Sequence, residues 1–498
     1  MTATVTEILK RNLLTDLYAR TQNIGAVVGD SDRHYLAIGR AEEWDSDLQP
    51  PVPNSSFNEV KKFQASVQSM KLVPDVSYVV PRHTWVNGNV YNAWDNDFNS
   101  NTVVSASGDI RDPYYVITDD NNVFVCIQQG RTSEGVVRNS IYKPTDTSGD
   151  VFSAGDDGYF WKFLFNIGAA EARKFLTSQY MPVEKILDSS DGGPATGDLS
   201  VSRLQQLGIQ QAAVPGQIIG IAIDSAGTDG DYDPLSPPTI TIQPISTLGE
   251  TVTPAQAYVK VNSAGRIADV IMKADSVSAF SFGQNYYDAA IVLSGSGNAS
   301  LRALITSDSG MGANPTRDLN SSAIMFNATL DGAEGGDFNV RNDFRQIGII
   351  RNPQKDSAQF GSFQIPANAG DSACNAVTLS AFKRLHVGVG LDASLITGDQ
   401  IVEGTSSAKA IVDYYDATDQ ILYVHQTRET GFLPFDSSDT LTVSEGGGST
   451  SIVANSNGPN LRPSEVNRFS GECIYIDNRS PVSRDNEQTE DVKVVIDL

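Results

Sequence analysis

Tyr114-Tyr115-Val116-Ile117-Thr118, then Asp119-Asp120-Asn121-Asn122, then Val123-Phe124-Val125-Cys126-Ile127: two runs rich in β-branched and aromatic residues flank four polar ones. Such runs fit a pleated, half-buried surface, and the polar tetrad between them supplies a turn, so the stretch reads as a β-hairpin. The same grammar of short apolar runs between turn residues extends from Tyr35 onward and predicts a β-rich body. Gly158 to Ile167 concentrates Tyr159, Phe160, Trp161, Phe163 and Phe165 around Lys162 and Leu164. A β-sandwich would bury these rings, since aromatics dominate core energetics; sugar or base binding is the alternative use.

The chain opens differently. Thr4 with Glu7 fits a capping box, after which Leu9, Leu13 and Leu17 recur every four residues and Ile8, Leu14 and Tyr18 widen the face. The spacing predicts a short amphipathic helix packed on its own domain, with a partner-binding helix as the alternative.

Beyond the polar, glycine-containing stretch Asp188 to Pro194, where a loop and a nearby domain boundary are expected, two weak repeats occur. Thr239-Ile240-Thr241-Ile242 followed by Ala257 to Val261 is echoed by Ala290 to Leu293 followed by Ala299 to Ile305. Asp399 to Val402 leading to Ala410-Ile411-Val412 is echoed by Asp439 to Thr442 leading to Ser451-Ile452-Val453, with Gly446 to Gly448 as a turn. Two copies are too few for a solenoid, so the second repeat reads as a small β-module built from hairpin pairs.

A chain of 498 residues exceeds what one core ordinarily supports, and two or three domains are expected. Hydrophobic residues make up 40% and charged ones only 19%, a balance that favours strands with a Ser, Thr, Asn and Asp surface. With 36 basic against 60 acidic residues the net charge is −24, and the densest basic runs are the pairs Lys10-Arg11, Lys61-Lys62 and Lys383-Arg384. Nucleic acid is therefore not an expected partner, because neutralising phosphates needs a clustered basic face. Like charge also resists random self-association. Cys126, Cys374 and Cys473 form an odd, widely spaced set beside apolar runs, read as free thiols in a protein folded in a reducing cytoplasm. Met1 to Ile8 lacks a secretory pattern, and the longest apolar stretches, such as Ile218 to Ile223, fall short of a membrane span.

Motifs that carry chemistry are scarce. There is no Gly-Lys dipeptide for a phosphate loop, no His-Glu-x-x-His and no Gly-x-Ser-x-Gly; His34, His83, His386 and His425 are isolated in sequence. Asp229-Gly230-Asp231-Tyr232-Asp233 begins like a calcium loop, but Pro234 and Ile240 stand where a further Gly and a bidentate Glu would be needed, and a solvated turn is expected. Asp95-Asn96-Asp97-Phe98-Asn99 fails the same test. No catalytic, cofactor or metal residue is assigned, and the protein is expected not to be an enzyme.

The ending is more specific. Phe469-Ser470-Gly471-Glu472-Cys473-Ile474-Tyr475-Ile476-Asp477-Asn478-Arg479-Ser480-Pro481, then Glu487-Gln488-Thr489-Glu490 and a last strand, resembles the C-terminus of the baseplate wedge subunit of contractile-tailed phages. Asn342 to Pro353, containing Phe344-Arg345-Gln346-Ile347, is similar to a second stretch of that family. Gly155 to Phe165, Ile38-Gly39-Arg40 with Trp44, and Val80-Pro81-Arg82 with Trp85 resemble three more, all in the family's order. Arg345 and Arg479 stand beside apolar strands, where a five-donor guanidinium serves backbone carbonyls or forms an ordinary surface ion pair. Asn352-Pro353 and Ser480-Pro481 are each expected to end a strand.

The resemblance implies an elongated, all-β, multi-domain protein, and together with the residue patterns above, the expectation is a mainly β, elongated multi-domain β-sandwich protein with a short N-terminal helix. It divides as 1–200, a helix-led β-rich domain; 201–354, a central β-sandwich; 355–463, an inserted β-module without counterpart in shorter family members; and 464–498, strands returning to the body. It further implies a homodimer that joins other baseplate wedge proteins in the virion tail, assembled in the host cytoplasm, with no membrane partner. A receptor-binding or glycan-cleaving tail protein, also acidic and β-rich, is the rival; it would ordinarily be a trimer with a fibrous, repetitive region.

Overall fold

The computed structural model describes residues 6–22, 32–98, 113–187, 201–273, 279–332, 343–356, 374, 376–388, 391, 399–427, 429–436, 439–443, 449–453, 461–462, 464–485 and 487–498. The expected loop at 188–200, Thr4 of the capping box and the Gly446 to Gly448 turn lie outside them. The protein is mainly β, with antiparallel sheets in a multi-domain, sandwich-like layout. Two compact units divide the chain: residues 1–15, 77–325 and 497–498 form the first, residues 16–76 and 326–496 the second. The segments 1–200 and 201–354 thus each contribute to both units, because the earliest strands of the second unit pair with residues more than 300 positions later.

In the first unit the hairpin forms as its alternation dictates. Tyr115–Ile117 pairs with Asn122–Gln128 (Tyr115 opposite Val125, Ile117 opposite Val123), and Asn121 takes the left-handed conformation of the turn at φ 58°. Phe160–Asn166 and Val151–Ser153 extend the sheet to four strands. Tyr159, Trp161, Phe163 and Phe165 are fully buried and Phe160 half-buried; Tyr159, Trp161 and Phe163 cluster with Tyr91, Val116, Phe124 and Ile209 of the helix Val201–Gln211. The aromatic run is therefore core.

The first repeat is realised as strands, with a pairing pattern of its own. Ile240–Thr247 pairs with Tyr286–Leu293, so the leading strands of the two copies bind each other, while Tyr258–Val261 pairs with Ile267–Ile271 and Ser300–Ile305 with Ile218–Ser225. Around them Ile218, Tyr232, Val259, Ile267, Val270 and Tyr286 form a second core.

In the second unit a five-stranded antiparallel sheet runs in the order Thr378–Ser380, Val67–Leu72, His34–Gly39, Phe344–Arg351, Glu472–Val482. The helix Phe57–Ser66, capped by Ser56 Oγ accepting from Glu59 N at 3.2 Å, drives Phe63 into the core formed by Tyr35, Ala37, Met70, Ile350 and Leu379. Such a cap offsets one of the unpaired amide donors of the first turn. Asn352-Pro353 follows the end of its strand as expected. Pro481 does not: Glu472–Val482 continues through it. The register skips between the Gln346–Asn478 and Phe344–Val482 pairs, and the missing amide of Pro481 falls in that irregularity, where no ladder donor is required.

The second repeat becomes a closed module in the same unit. Lys383–His386, Ile421–His425, Lys409–Asp416, Gln400–Glu403, Thr440–Val443 and Ser449–Ser451 are successive neighbours. The first and last of these are joined by the Val387–Ile452 bridge and by Gly388 N donating to Ser451 O at 2.9 Å and Val453 N to His386 O at 3.1 Å. Six strands therefore close on themselves around Leu385, Ile401, Ala410, Val412, Leu422, Val424 and Leu441, all fully buried. Closure removes the free edges that two separate hairpins would expose.

The N-terminal helix spans Glu7–Gln22, and its expected apolar face is covered only in part. Leu14 is buried, whereas Leu9 and Leu13 are 49% and 53% exposed and Ile8 64%. Leu17 and Tyr18 are half-buried, so Leu14, Leu17 and Tyr18 of the expected face turn inward while Ile8, Leu9 and Leu13 do not.

Candidate functional site

The segment leaving the His34–Gly39 strand joins a connected set of polar side chains in the second unit. A Cβ on Gly39 would stand 2.7 Å from Ser66 O, so only glycine fits where the strand meets the helix end. Arg40 then turns the chain at φ 58°, and its guanidinium lies 3.7 Å from the centre of the Trp44 ring, a cation–π contact. Trp44 N donates to Asp47 Oδ1 at 2.9 Å, closing a local turn, and Trp44 Nε1 donates to Arg479 O at 3.0 Å.

Asp47 receives Arg345 from the Phe344–Arg351 strand: Nε to Oδ1 at 3.0 Å and Nη2 to Oδ2 at 2.8 Å, while Nη1 donates to Ala41 O at 2.7 Å. This is the fork geometry in which a planar guanidinium satisfies a carboxylate and a carbonyl together. The hydrogen bond and charge of Arg345 hold the Asp47 carboxyl below its usual range. Next to it Gln346 Nε2 donates to Asn478 Oδ1 at 2.7 Å, Ser66 Oγ donates to Gln346 Oε1 at 3.0 Å, and Asn478 Nδ2 donates to Pro51 O at 2.8 Å. Three of the five resembling motifs, separated by hundreds of residues, thus meet at one loop. The two arginines part ways: Arg345 is 5% exposed, whereas Arg479 is exposed and pairs with Asp477 at 2.8 Å.

From the same loop Glu42 reaches the closed module. Its Oε1 lies 2.9 Å from His425 Nε2, and the other ring nitrogen, Nδ1, lies 2.9 and 2.8 Å from the two oxygens of Asp413. Both nitrogens face carboxylates, so the imidazole satisfies both only when doubly protonated. Burial opposes that charge, but the charge and hydrogen bonds of Asp413, joined by Glu42, outweigh it and raise His425 to about 9. Burial likewise opposes ionisation of Glu42, yet the His425 hydrogen bond and charge bring it down to about 2. Arg468, also buried, adds a second cation: Nη1 donates to Ala65 O at 2.7 Å and Nη2 to Ala381 O. Two acids and two bases are thus brought together, with Glu42 half-buried and the other three enclosed, and burial pushes the Asp413 carboxyl up against the pull of His425. With both ring nitrogens occupied by carboxylates, His425 has no free lone pair to accept a substrate proton; the arrangement fastens the loop to the module.

The other motifs are also spent on architecture. In the Gly155 to Phe165 stretch, buried Asp157 accepts from Ile141 N at 2.9 Å, Tyr142 N at 3.2 Å and Tyr159 N at 3.1 Å. Arg82 Nη1 donates to Thr177 O at 3.0 Å, and Trp85 Nε1 to Ser140 Oγ at 3.2 Å. In the acidic turn Asp229 pairs with Arg266 at 2.6 Å, Asp231 accepts from Thr228 N at 2.8 Å and Asn298 N at 3.2 Å, and Asp233 accepts from Leu235 N at 2.9 Å. Its carboxylates serve separate partners, and among the described residues no group of three His, Cys, Asp or Glu side chains is placed to hold a metal ion. Asp95 is engaged by Arg302. Cys126 and Cys374 are buried and Cys473 partly so, all as free thiols. The His425 cluster carried no sequence signal: Glu42 and His425 stand 383 residues apart.

No protein-family model matches the chain, and no curated protein matches it.

Proposed function

We propose that the chain is a structural subunit of a contractile phage tail baseplate wedge, dimerising and binding other wedge proteins during baseplate assembly. The observation that carries this reading is the use made of the resembling residues. They occur in the family's order, and Arg40, Trp44, Arg345, Gln346 and Asn478 serve internal packing and loop positioning. Residues spent on fixing loops against sheets suit a scaffold that presents surfaces of defined geometry to its neighbours.

The test is assembly. Purified protein is examined by light scattering and mixed with the products of neighbouring tail genes, and tail particles are reconstructed by cryo-electron microscopy. The reading expects a dimer that captures wedge proteins and density for this chain in the baseplate. A stable trimer that cleaves polysaccharide, or a tail whose baseplate lacks the chain, discards it.

A further inference from the structure

The first unit contains a solvent-open groove of about 340 Å³, near the lower end of the roughly 300–1,000 Å³ usual for small-molecule sites. One wall comes from the segment carrying Asn92, Trp94 and Phe98, another from the Ile218–Ser225 strand ending near Asp224, and Asp269 of the Ile267–Ile271 strand also lines it. The groove thus combines an indole with several planar polar groups.

Those polar groups are held in place. Arg131 Nη2 donates to Gln129 Oε1 at 3.3 Å, and Gln129 Nε2 donates to Asn92 Oδ1 at 3.1 Å. Among the described residues the Asn92 amide nitrogen has no protein acceptor, so its donors remain for a ligand. Arg302 and Asp95 form a two-pronged pair at 2.8 Å on each prong, with Asp224 3.7 Å from Arg302 Nε. Asp269 is 7% exposed; its Oδ1 accepts from Val270 N at 3.0 Å, and its Oδ2 forms an ion pair with Lys260 at 3.7 Å.

We propose that this groove is a binding site for a neutral saccharide, with Trp94 covering the apolar face of a sugar ring and Asn92, Asp224 and Asp269 hydrogen-bonding its hydroxyls. A sugar hydroxyl both donates and accepts, which matches carboxylate acceptors beside an amide donor. An anionic ligand is disfavoured. Three carboxylates (Asp95, Asp224, Asp269) face two guanidiniums, and that of Arg302 is already neutralised by Asp95. A purely apolar ligand would leave the Asn92 amide donors without a partner. The volume fits one or two sugar rings.

The inference is independent of the assembly role and is tested on the full chain. Ligand-observed NMR and tryptophan fluorescence are recorded with D-glucose, D-galactose, N-acetyl-D-glucosamine, L-rhamnose and maltose in the millimolar range. A saturable signal is expected from at least one of them, at least ten-fold weaker in Trp94→Ala and several-fold weaker in Asp224→Asn. Asp224 is a rim residue whose substitution leaves the fold intact, so the test survives if the Trp94 variant misfolds. The absence of saturable binding across the panel overturns the inference, as does binding undiminished by Asp224→Asn.

Discussion

His425 and Asp413 face each other inside the closed module with both carboxylate oxygens within 2.9 Å of Nδ1, while Glu42 holds the opposite nitrogen. The imidazole is therefore a charged rivet, and its titration makes the second unit pH-sensitive. His425 is raised from 6.5 to about 9, so its contribution is fully present below pH 6.5 and is lost as pH climbs through 9. Glu42 is depressed from 4.5 to about 2, so its contribution is present above pH 4.5 and lost as pH falls through 2. Both of these contributions are present between pH 4.5 and 6.5, while burial pushes the Asp413 carboxyl up against the pull of His425. Denaturant titrations should show the wild type losing about 3 kcal/mol between pH 6.5 and 9, while His425→Gln is weaker at pH 6 and lacks this decline. Burial pushes Lys383 down from 10.5 to about 8, which adds stability over that interval in both proteins and so cancels in their difference. Equal declines in the two would refute the assignment.

Gly348 lies opposite Ile476, and a Cβ there would meet the Phe63 ring at 2.5 Å and Tyr475 O at 2.7 Å. Gly348→Ala should destabilise the second unit by about 1–3 kcal/mol, the usual cost of overpacking. Pairing it with Phe63→Leu should recover part of the loss, as a double-mutant cycle in urea will register. Strict additivity would mean that the ring is not the obstacle.

Arg345 is nearly enclosed and makes a forked pair with Asp47 while serving Ala41 O. Arg345→Ala should lower the melting temperature by several degrees and speed proteolysis of the 41–51 loop. Arg345→Lys should recover little, since an ammonium cannot reproduce the fork. Limited proteolysis with mass spectrometry measures this; full rescue by lysine contradicts it.

The three thiols offer a residue-level unfolding probe. Burial raises Cys126 well above its ordinary value, Cys374 to about 12 and Cys473 to about 11. Thiolate, the reactive form, is correspondingly rare. In native protein at pH 8 a thiol reagent should label none of them rapidly, with Cys473, only partly buried, reacting first. Rapid labelling of Cys126 in the native state would contradict its packing in the aromatic core.

How far these features could be read from the chain depended on the distance over which each is decided. The Tyr114 to Ile127 hairpin and the Tyr159 to Phe165 core run were legible because alternation and turn residues are local signals. The hairpins of the second repeat were legible for the same reason, but their closure through Val387 and Ile452 was not, since nothing in either strand names its partner. In the N-terminal helix the spacing located the element and part of its face: Leu14 is buried and Leu17 and Tyr18 half-buried, whereas Ile8, Leu9 and Leu13 stay exposed. Arg345 was conspicuous in sequence, yet its burial depended on Asp47, and the isolated appearance of His425 hid two partners contributed by other segments.

The two-part build of the second unit has a consequence for synthesis on the ribosome. Arg33 and Asn352, which bracket one pairing of the five-stranded sheet, are 319 residues apart, with the whole 77–325 segment between them. At roughly 5–20 residues per second that is a wait of roughly 15 to 60 seconds, during which one side of the His34–Gly39 strand has no mate. A translation product terminated before Glu472 would leave the Phe344–Arg351 strand bare along its outer side, an invitation to intermolecular β-pairing. Prematurely stopped chains should consequently collect in inclusion bodies, while the finished polypeptide escapes once its last strands arrive.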